Sequence, residues 1–307
     1  MHINKTQTKY KQKVTFEGYY TDIKCNKKKF EFIMYGEEKE KIMKVEGKNI
    51  VVTGGGNGVG RELVLQLLRK GATVFTADIN GEALKETSSI AGNSKRLFTY
   101  VLDISNREAV FTFAKKILEE HGKVDGIINN AGIIQPFIHL DELDMDRIDR
   151  VMNINFYGTL YMVKAFLPHL LKRPEAHIVN VSSMGGFLPV PGQTIYGASK
   201  AAVKLLTEGL ASELKETSVN VSVVIPGGIA TDIKKNSNIV YNTSSDSSKS
   251  KMVLAPAKAA ELIIEAMEKK KLRSYIGKDC KVMNALYKIN SMFAVNMINK
   301  VMSTSEH

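Results

Sequence analysis

Cysteine is scarce in this 307-residue chain: Cys25 and Cys280 are the two present, and neither sits in a metal-ligand or redox spacing. That removes cysteine-built metal and redox centres from consideration and makes a reducing compartment, the cytoplasm, the expected location. Long apolar runs are also missing. No stretch approaches the roughly twenty residues that cross a bilayer, and the N-terminus lacks the apolar core of a signal peptide. Internal repeats and nucleic-acid modules are absent as well, so the formal charge of +11 is no sign of nucleic-acid recognition. What remains is 44% hydrophobic and 24% charged, the balance of an ordinary globular protein long enough to bury a sizeable core.

The positive charge is uneven. Residues 1–44 hold eleven lysines against six acids, a net +5, which leaves 11 − 5 = +6 for the other 263 residues. Lysine-rich, polar and without clear periodicity, residues 1–44 read as a mobile extension. Met43-Lys44-Val45-Glu46-Gly47-Lys48 reads as a second natural beginning.

From Lys48 the pattern becomes strict. Asn49-Ile50-Val51-Val52 is a short apolar strand, a glycine-rich loop follows, and a helix runs from Arg61 to Arg69. Strands at Thr73–Ala77 and Arg96–Leu102 enclose a helix at Gly81–Ala91. The alternation continues with a helix at Arg107–His121, a strand at Val124–Ile128, one long helix around Asp146–Leu171 and a strand at Ala176–Val181. A helix at Tyr196–Leu214, a strand at Val219–Ile225 and a weak last strand at Tyr275-Ile276 complete it. Repeated strand–helix–strand crossovers demand a parallel sheet, so the expected class is α/β: a doubly wound, three-layer sheet of about seven strands in a single domain over 45–278. Two segments break the wind. Thr231 to Val253, rich in Ser, Asn and Lys, follows a strand's carboxyl end and reads as a surface loop or lid. Residues 279–307 form an amphipathic extension whose apolar stripe (Val282, Met283, Leu286, Tyr287, Met292, Phe293, Val295, Ile298, Met302) reads as core or subunit packing. With Lys281, Lys288 and Lys300 nearby, peripheral attachment to a membrane surface is the alternative.

The glycine run Thr53-Gly54-Gly55-Gly56-Asn57-Gly58-Val59-Gly60 follows the first strand and opens a helix, where tight backbone and free amides suit a pyrophosphate. Its spacing departs from the commoner G-x-G-x-x-G. Asp78, eighteen residues after Gly60 at the end of the second strand, suits a ribose 2′-hydroxyl and would repel a 2′-phosphate, which favours NAD over NADP; Arg61 and Lys48 are the residues able to weaken that preference. Asp103 and Ile104 end the third strand and suit the adenine. Asn129-Asn130-Ala131-Gly132 ends the fourth, where small residues let a backbone pass close to a cofactor. Pro226, Gly227, Ile229 and Thr231 end the sixth and suit the nicotinamide end. Asn155, beside Gly158 in a helix, is a poor helix former that suggests a purpose.

On the predicted helix Tyr196 and Lys200 lie four apart and share a face. A free tyrosine ionises only near pH 10, roughly, so an adjacent cation is what lets it act as an acid or base near neutrality. Ser183 sits at the carboxyl end of the preceding strand, where open α/β sheets hold their ligands.

With Thr53-Gly54-x-x-x-Gly58-x-Gly60, Asp78, Asp103, Asn129-Asn130-Ala131-Gly132, Asn155, Ser183, Tyr196-x-x-x-Lys200 and Pro226-Gly227, the chain from about Lys44 to about Gly277 resembles the short-chain dehydrogenase/reductase family. The resemblance implies a Rossmann fold and reversible hydride transfer between a nicotinamide and a carbonyl or secondary alcohol. It implies Tyr196 as general acid/base, Ser183 as the group that positions the substrate oxygen, Lys200 as the cation that lowers the tyrosine pKa and bonds the ribose, and Asn155 as holder of a water linked to Lys200. It also implies a homotetramer or homodimer packed through the helices carrying Asn155 and Tyr196. Gly185, Gly186, Phe187, Leu188, Val190, Gln193 and Ile195 are expected to line the substrate pocket, with no nucleic-acid partner. The expected function is NAD(H)-dependent oxidation of a secondary alcohol or reduction of its ketone. The alternatives are a 3-oxoacyl-thioester reductase using NADPH and a non-catalytic nicotinamide-sensing or membrane-peripheral binding protein.

Overall fold

The computed structural model describes residues 42–230, 237 and 253–303. Seven parallel strands stand in the order β3-β2-β1-β4-β5-β6-β7: β1 (Asn49–Thr53), β2 (Thr73–Asp78), β3 (Leu97–Val101), β4 (Gly126–Asn129), β5 (Ala176–Val181), β6 (Val219–Pro226) and β7 (Arg273–Ile276). The chain winds outward from β1 to β3, returns, and winds the other way from β4 to β7. The reversal between β1 and β4 opens a crevice beyond their carboxyl ends, the place where doubly wound sheets bind ligands.

The central strands are largely apolar on both faces because helices cover both. Val51 belongs to one core layer with Phe75, Ile117 and Phe166, under α3 (Arg107–His121), α5 (Thr159–Leu170) and α6 (Thr194–Glu213). Its neighbours Ile50 and Val52 belong to the other, with Leu63, Leu67, Ile263 and Met267, under α1 (Gly58–Arg69) and α7 (Pro256–Glu268). Each such side chain contributes about 1.5–3 kcal/mol on burial. A further helix, α2 (Gly81–Ile90), joins β2 to β3.

Several details differ from the sequence reading. Met43, assigned to the leader, is fully buried in the second core layer, and its N–H donates to the Glu268 carbonyl at 2.9 Å. Residues 1–41 lie outside the described residues. The long helix is interrupted: α4 (Met145–Met152) passes through a π-helical turn at Asn153–Gly158 before α5 begins. Helix α7 went unread from sequence; Pro256 sits at its start, where a missing N–H costs nothing, and it forms the crossover that β7 needs. The C-terminal stripe is two helices, α8 (Lys278–Ile289) and α9 (Ser291–Ser303), parted at the extended Asn290, whose side chain accepts the Phe293 N–H at 3.0 Å and so starts the second. Among the described residues, no helix is long and apolar enough to cross a membrane.

Candidate active site

A cavity of about 660 Å³ occupies the crevice at the carboxyl ends of the strands. Its first wall is the turn between β1 and α1. Gly54 has a positive φ of 75°, and a Cβ on Gly60 would land on the Gly54 carbonyl oxygen, so this turn exists only because both positions lack a side chain. The tight turn leaves the start of α1 open to the cavity, a cradle of backbone that fits a pyrophosphate.

At the end of β2, Asp78 accepts the Gly56 N–H on Oδ2 and the Asn80 N–H on Oδ1, both at 2.9 Å, which aims its carboxylate along the cavity edge. Arg61 is no rival there. Its Nε donates to the Gly56 carbonyl and the Thr87 hydroxyl, and its guanidinium pairs with Glu86 at 2.5 Å. Lys48, the other base read as able to offset Asp78, precedes β1 and pairs with Glu175 at 3.3 Å; in a parallel sheet that places it at the end opposite the cavity.

Gly54, Asn57, Gly58, Val59, Gly60, Asp103, Ile104, Asn130, Ala131, Gly132, Pro226, Gly227 and Ile229 all line the cavity. Thr53 does not. It is buried behind the wall, its hydroxyl accepting the N–H groups of Asn130 and Ala131, each at 3.1 Å, so it shapes the neighbouring turn. Thr231 lies outside the described residues, as does the Thr231–Val253 segment apart from Val253 and Ser237, whose hydroxyl accepts the Ile134 N–H at 3.0 Å.

Ser183, Tyr196 and Lys200 converge on the cavity. The Ser183 hydroxyl hydrogen-bonds the Tyr196 phenol, and Lys200 Nζ donates to the Val181 carbonyl at 3.1 Å. Burial pushes the Tyr196 phenol above its ordinary value, the Ser183 bond pulling the other way by less, so the free protein holds a protonated acid at neutral pH. Burial also brings Lys200 down to about 8. A protonated acid and a cation that loses its charge near pH 8 thus line the same cavity.

Asn155 is fully buried and its side chain is committed. Oδ1 accepts the Ile133 N–H, while Nδ2 donates to the Ile133 carbonyl and the Ser199 hydroxyl, all at 2.9 Å; its own carbonyl accepts the Thr159 hydroxyl at 2.8 Å. The widened π turn lets this side chain reach the loop after β4 and tie it to α6.

One residue without any sequence signal does comparable work. Gln193, at the start of α6, makes no capping bond. The buried Gln135 replaces it from a distance: its Oε1 accepts the N–H groups of Ile195 and Tyr196 at 2.9 and 3.0 Å, and its Nε2 donates to the Gly192 carbonyl at 2.9 Å. Gln193 Nε2 returns a bond to the Gln135 carbonyl at 2.8 Å. Gln135 thereby couples the loop after β4 to the helix that carries Tyr196.

Of the seven residues read as substrate walls, Gly185 lies against Tyr196 and Ser183, where a Cβ would come within 3.5 Å of the Tyr196 ring, and Ile195 stands in the first turn of α6. Leu188 is fully buried against Met283 and Ala294 of the C-terminal helices, and Gln193 is buried in the clamp just described. Ile133, Ile134 and Ile154 supply apolar lining in their place. Residues brought in from β7 onward were also unexpected: Asp279 Oδ2 accepts the Gly228 N–H at 2.7 Å, and buried Cys280 donates to the Ile225 carbonyl at 3.2 Å, stitching α8 to the turn beside the cavity. Among the described residues, no group of three acidic, histidine or cysteine side chains is placed to hold a metal ion.

Residues 48–241 match the model of the family described as short chain dehydrogenase. A putative oxidoreductase, SadH, of Mycobacterium tuberculosis is 34% identical over 252 residues, covering 80% of this chain and 91% of that protein. A short chain dehydrogenase/reductase from Burkholderia phymatum in complex with NAD superposes with a TM-score of 0.70 at 28% identity, covering 76% of this chain and 90% of that one. A short chain dehydrogenase from Burkholderia cenocepacia in complex with NADP gives a TM-score of 0.70 at 27% identity, covering 83% and 99%.

Proposed function

The chain belongs to the short-chain dehydrogenase family and is an oxidoreductase of that family, and from that premise we propose that it transfers hydride between NAD(H) and a secondary alcohol or ketone. The observation that carries the reading is the Ser183–Tyr196–Lys200 group at one end of a cavity whose other end is edged by an acid, Asp78.

A nicotinamide dinucleotide, when bound, would supply the hydride in reduction and take it in oxidation. Gly54, Gly58 and Gly60 would cradle its phosphates, Asp78 would accept from the adenosine ribose, Asp103 and Ile104 would meet the adenine, and Asn130, Pro226, Gly227 and Ile229 would hold the nicotinamide half. Ser183 holds the substrate oxygen. In reduction Tyr196 gives that oxygen its proton, and the Lys200 ammonium stabilises the phenolate left behind. In oxidation the same phenolate takes the proton back. Asn155 and Gln135 act as positioning residues, keeping the loop after β4 and the tyrosine helix in register.

Apolar lining from Ile133, Ile134 and Ile154 favours a substrate with an apolar body. A 3-oxoacyl-thioester reductase using NADPH fits less well, because Asp78 meets a 2′-phosphate with like charge and Arg61 is already matched by Glu86. A sensor without turnover would not require the assembled proton-handling group. The assembly we propose is a homotetramer or homodimer through α5 and α6, supported by the exposed Leu205 on α6 and by Tyr157 and Leu171 at the two ends of α5, in a reducing cytoplasmic setting.

Fluorescence titration with NADH and NADPH tests the reading. The native chain is expected to bind NADH more tightly, and Asp78→Ala to narrow the preference by about ten- to a hundredfold, the range of a hydrogen bond to a charged group. Tighter NADPH binding by the native chain would overturn the cofactor assignment and bring biosynthetic carbonyl reduction forward.

A further inference from the structure

The helices α8 and α9 use one face each inside the molecule. Met283, Leu286 and Tyr287 of α8 and Ala294, Val295 and Ile298 of α9 pack on Met184, Phe187 and Leu188, the loop that follows Ser183. Phe187 meets Tyr287 edge to face at 5.8 Å. The outer face is also apolar, and nothing among the described residues covers it. Ile289 is 83% exposed, Met292 65%, Phe293 56% and Val282 51%. Three of these four cluster where the chain turns through Asn290, so they form a projecting apolar corner instead of isolated surface side chains.

The charge around the corner has one sign. From Lys278 to Ser303 the chain holds Lys278, Lys281, Lys288 and Lys300 against a single acid, Asp279. That acid is turned inward to the Gly228 N–H. Lys281 and Lys288 are exposed on the helix that carries Val282 and Ile289. An apolar edge flanked by lysines, with no outward carboxylate within residues 278–303, matches an anionic lipid surface: the side chains enter the boundary between headgroups and acyl chains while the ammonium groups stay among the lipid phosphates. A protein partner matches it less well, since a stable interface engages about 20–30 residues a side and this corner offers four large side chains.

We propose that the α8–α9 corner docks the protein on anionic membrane surfaces, with Ile289, Met292 and Phe293 inserted and Lys281 and Lys288 against the headgroups. Because the inner face of the same helices supports the loop after Ser183, docking sets the substrate side of the molecule close to the lipid.

The test is flotation of the full chain with vesicles of phosphatidylcholine alone or with about a third phosphatidylserine, at low and high salt. The full chain is expected to float with the anionic vesicles and to be released as salt rises. Ile289→Ser with Phe293→Ser should lower partitioning about a hundredfold, tenfold for each apolar side chain kept from lipid. Lys281→Glu with Lys288→Glu should remove the preference for anionic vesicles. Both double variants should retain NADH affinity within about twofold, which shows the fold intact whatever the substrate proves to be. The proposal is overturned if the full chain does not float, or if both variants float as well as the native chain, which would assign lipid binding to other basic segments such as residues 1–44. A mass by light scattering that falls on Ile289→Ser with Phe293→Ser would assign the corner to a second copy of the chain and overturn it equally.

Discussion

Replacing Gln135 with leucine isolates the part of the site that no sequence motif marks. The side chain is buried at 1% exposure, and the substitution keeps its bulk while removing three hydrogen bonds. The N–H groups of Ile195 and Tyr196 are left without their partner, while the Gly192 carbonyl keeps the Gln193 Nε2 donor at 3.0 Å. Ile195 and Tyr196 lie in the first turn of α6, whose own leading residue supplies no cap. Each orphaned N–H costs about 1–3 kcal/mol, so the native state should lose about 2–6 kcal/mol for the two together. Urea denaturation measures that directly, and hydrogen exchange locates it: protection should fall at Ile195 and Tyr196 while amides of β1 and α1 keep theirs. The catalytic effect follows from position, since a shift of about 1 Å in the acid costs about a hundredfold in rate. The turnover number for ketone reduction should therefore fall by about that factor with NADH affinity nearly unchanged. Gln135→Glu, which keeps the accepting oxygen for both amides, should restore most of their protection. A Gln135→Leu protein within about 0.5 kcal/mol of native stability, with unaltered exchange at Ile195 and Tyr196, would refute the clamp.

Two further outcomes follow from the buried titrating groups. Lys200 is brought down to about 8, so its ammonium is present below that pH and lost above it; the rate of ketone reduction should fall as pH rises through about 8. Lys200→Met should lower the rate by about 10²–10⁴-fold and abolish that limb, and a limb that survives unchanged would assign it to another group. His177, buried in β5 with Nε2 against the Ser222 hydroxyl at 2.8 Å, is held down to about 3, chiefly by burial. Its folded value lies below the ordinary 6.5, so the unfolded chain takes up a proton that the native state refuses as pH falls from 6.5 toward 3. Stability should drop by about 1.4 kcal/mol per pH unit in that window, about 2 kcal/mol between pH 7 and 5. In His177→Gln this part of the slope should vanish, and equal slopes in urea midpoints at the two pH values would sink the argument.

Much of this protein is legible in its order of residues, because the information is local. Strands such as Ile50-Val51-Val52 declare themselves by being apolar at every position, and helices by their starts and their periodicity. Gly54 and Gly60 mark a turn that side chains would block, and a four-residue spacing is enough to put Tyr196 and Lys200 on one face. Asp78 and Ser183 were legible for the same reason: each ends a strand, and in a parallel wind every strand ends on the functional side. The family resemblance drew on those same positions, and the family comparison bears it out.

What the tertiary structure alone decided concerns partners far apart in the chain. Nothing near Gln135 announces that it will cap a helix some sixty residues on. Asp279 and Cys280 look like the start of a tail until β6 brings Gly228 and Ile225 beside them. Thr53 sits in a binding motif yet spends its hydroxyl on the neighbouring turn, and Leu188 belongs to a small core whose other half comes from the C-terminal helices. Lys48 and Arg61 look alike as bases in a row; in the fold Lys48 lies at the end of its strand away from the cavity and Arg61 pairs with Glu86. Local chemistry fixes which backbone a segment adopts, whereas a hydrogen bond or a charge acts on whatever the fold sets within about 3–4 Å of it, and that neighbour is chosen only when the layers close.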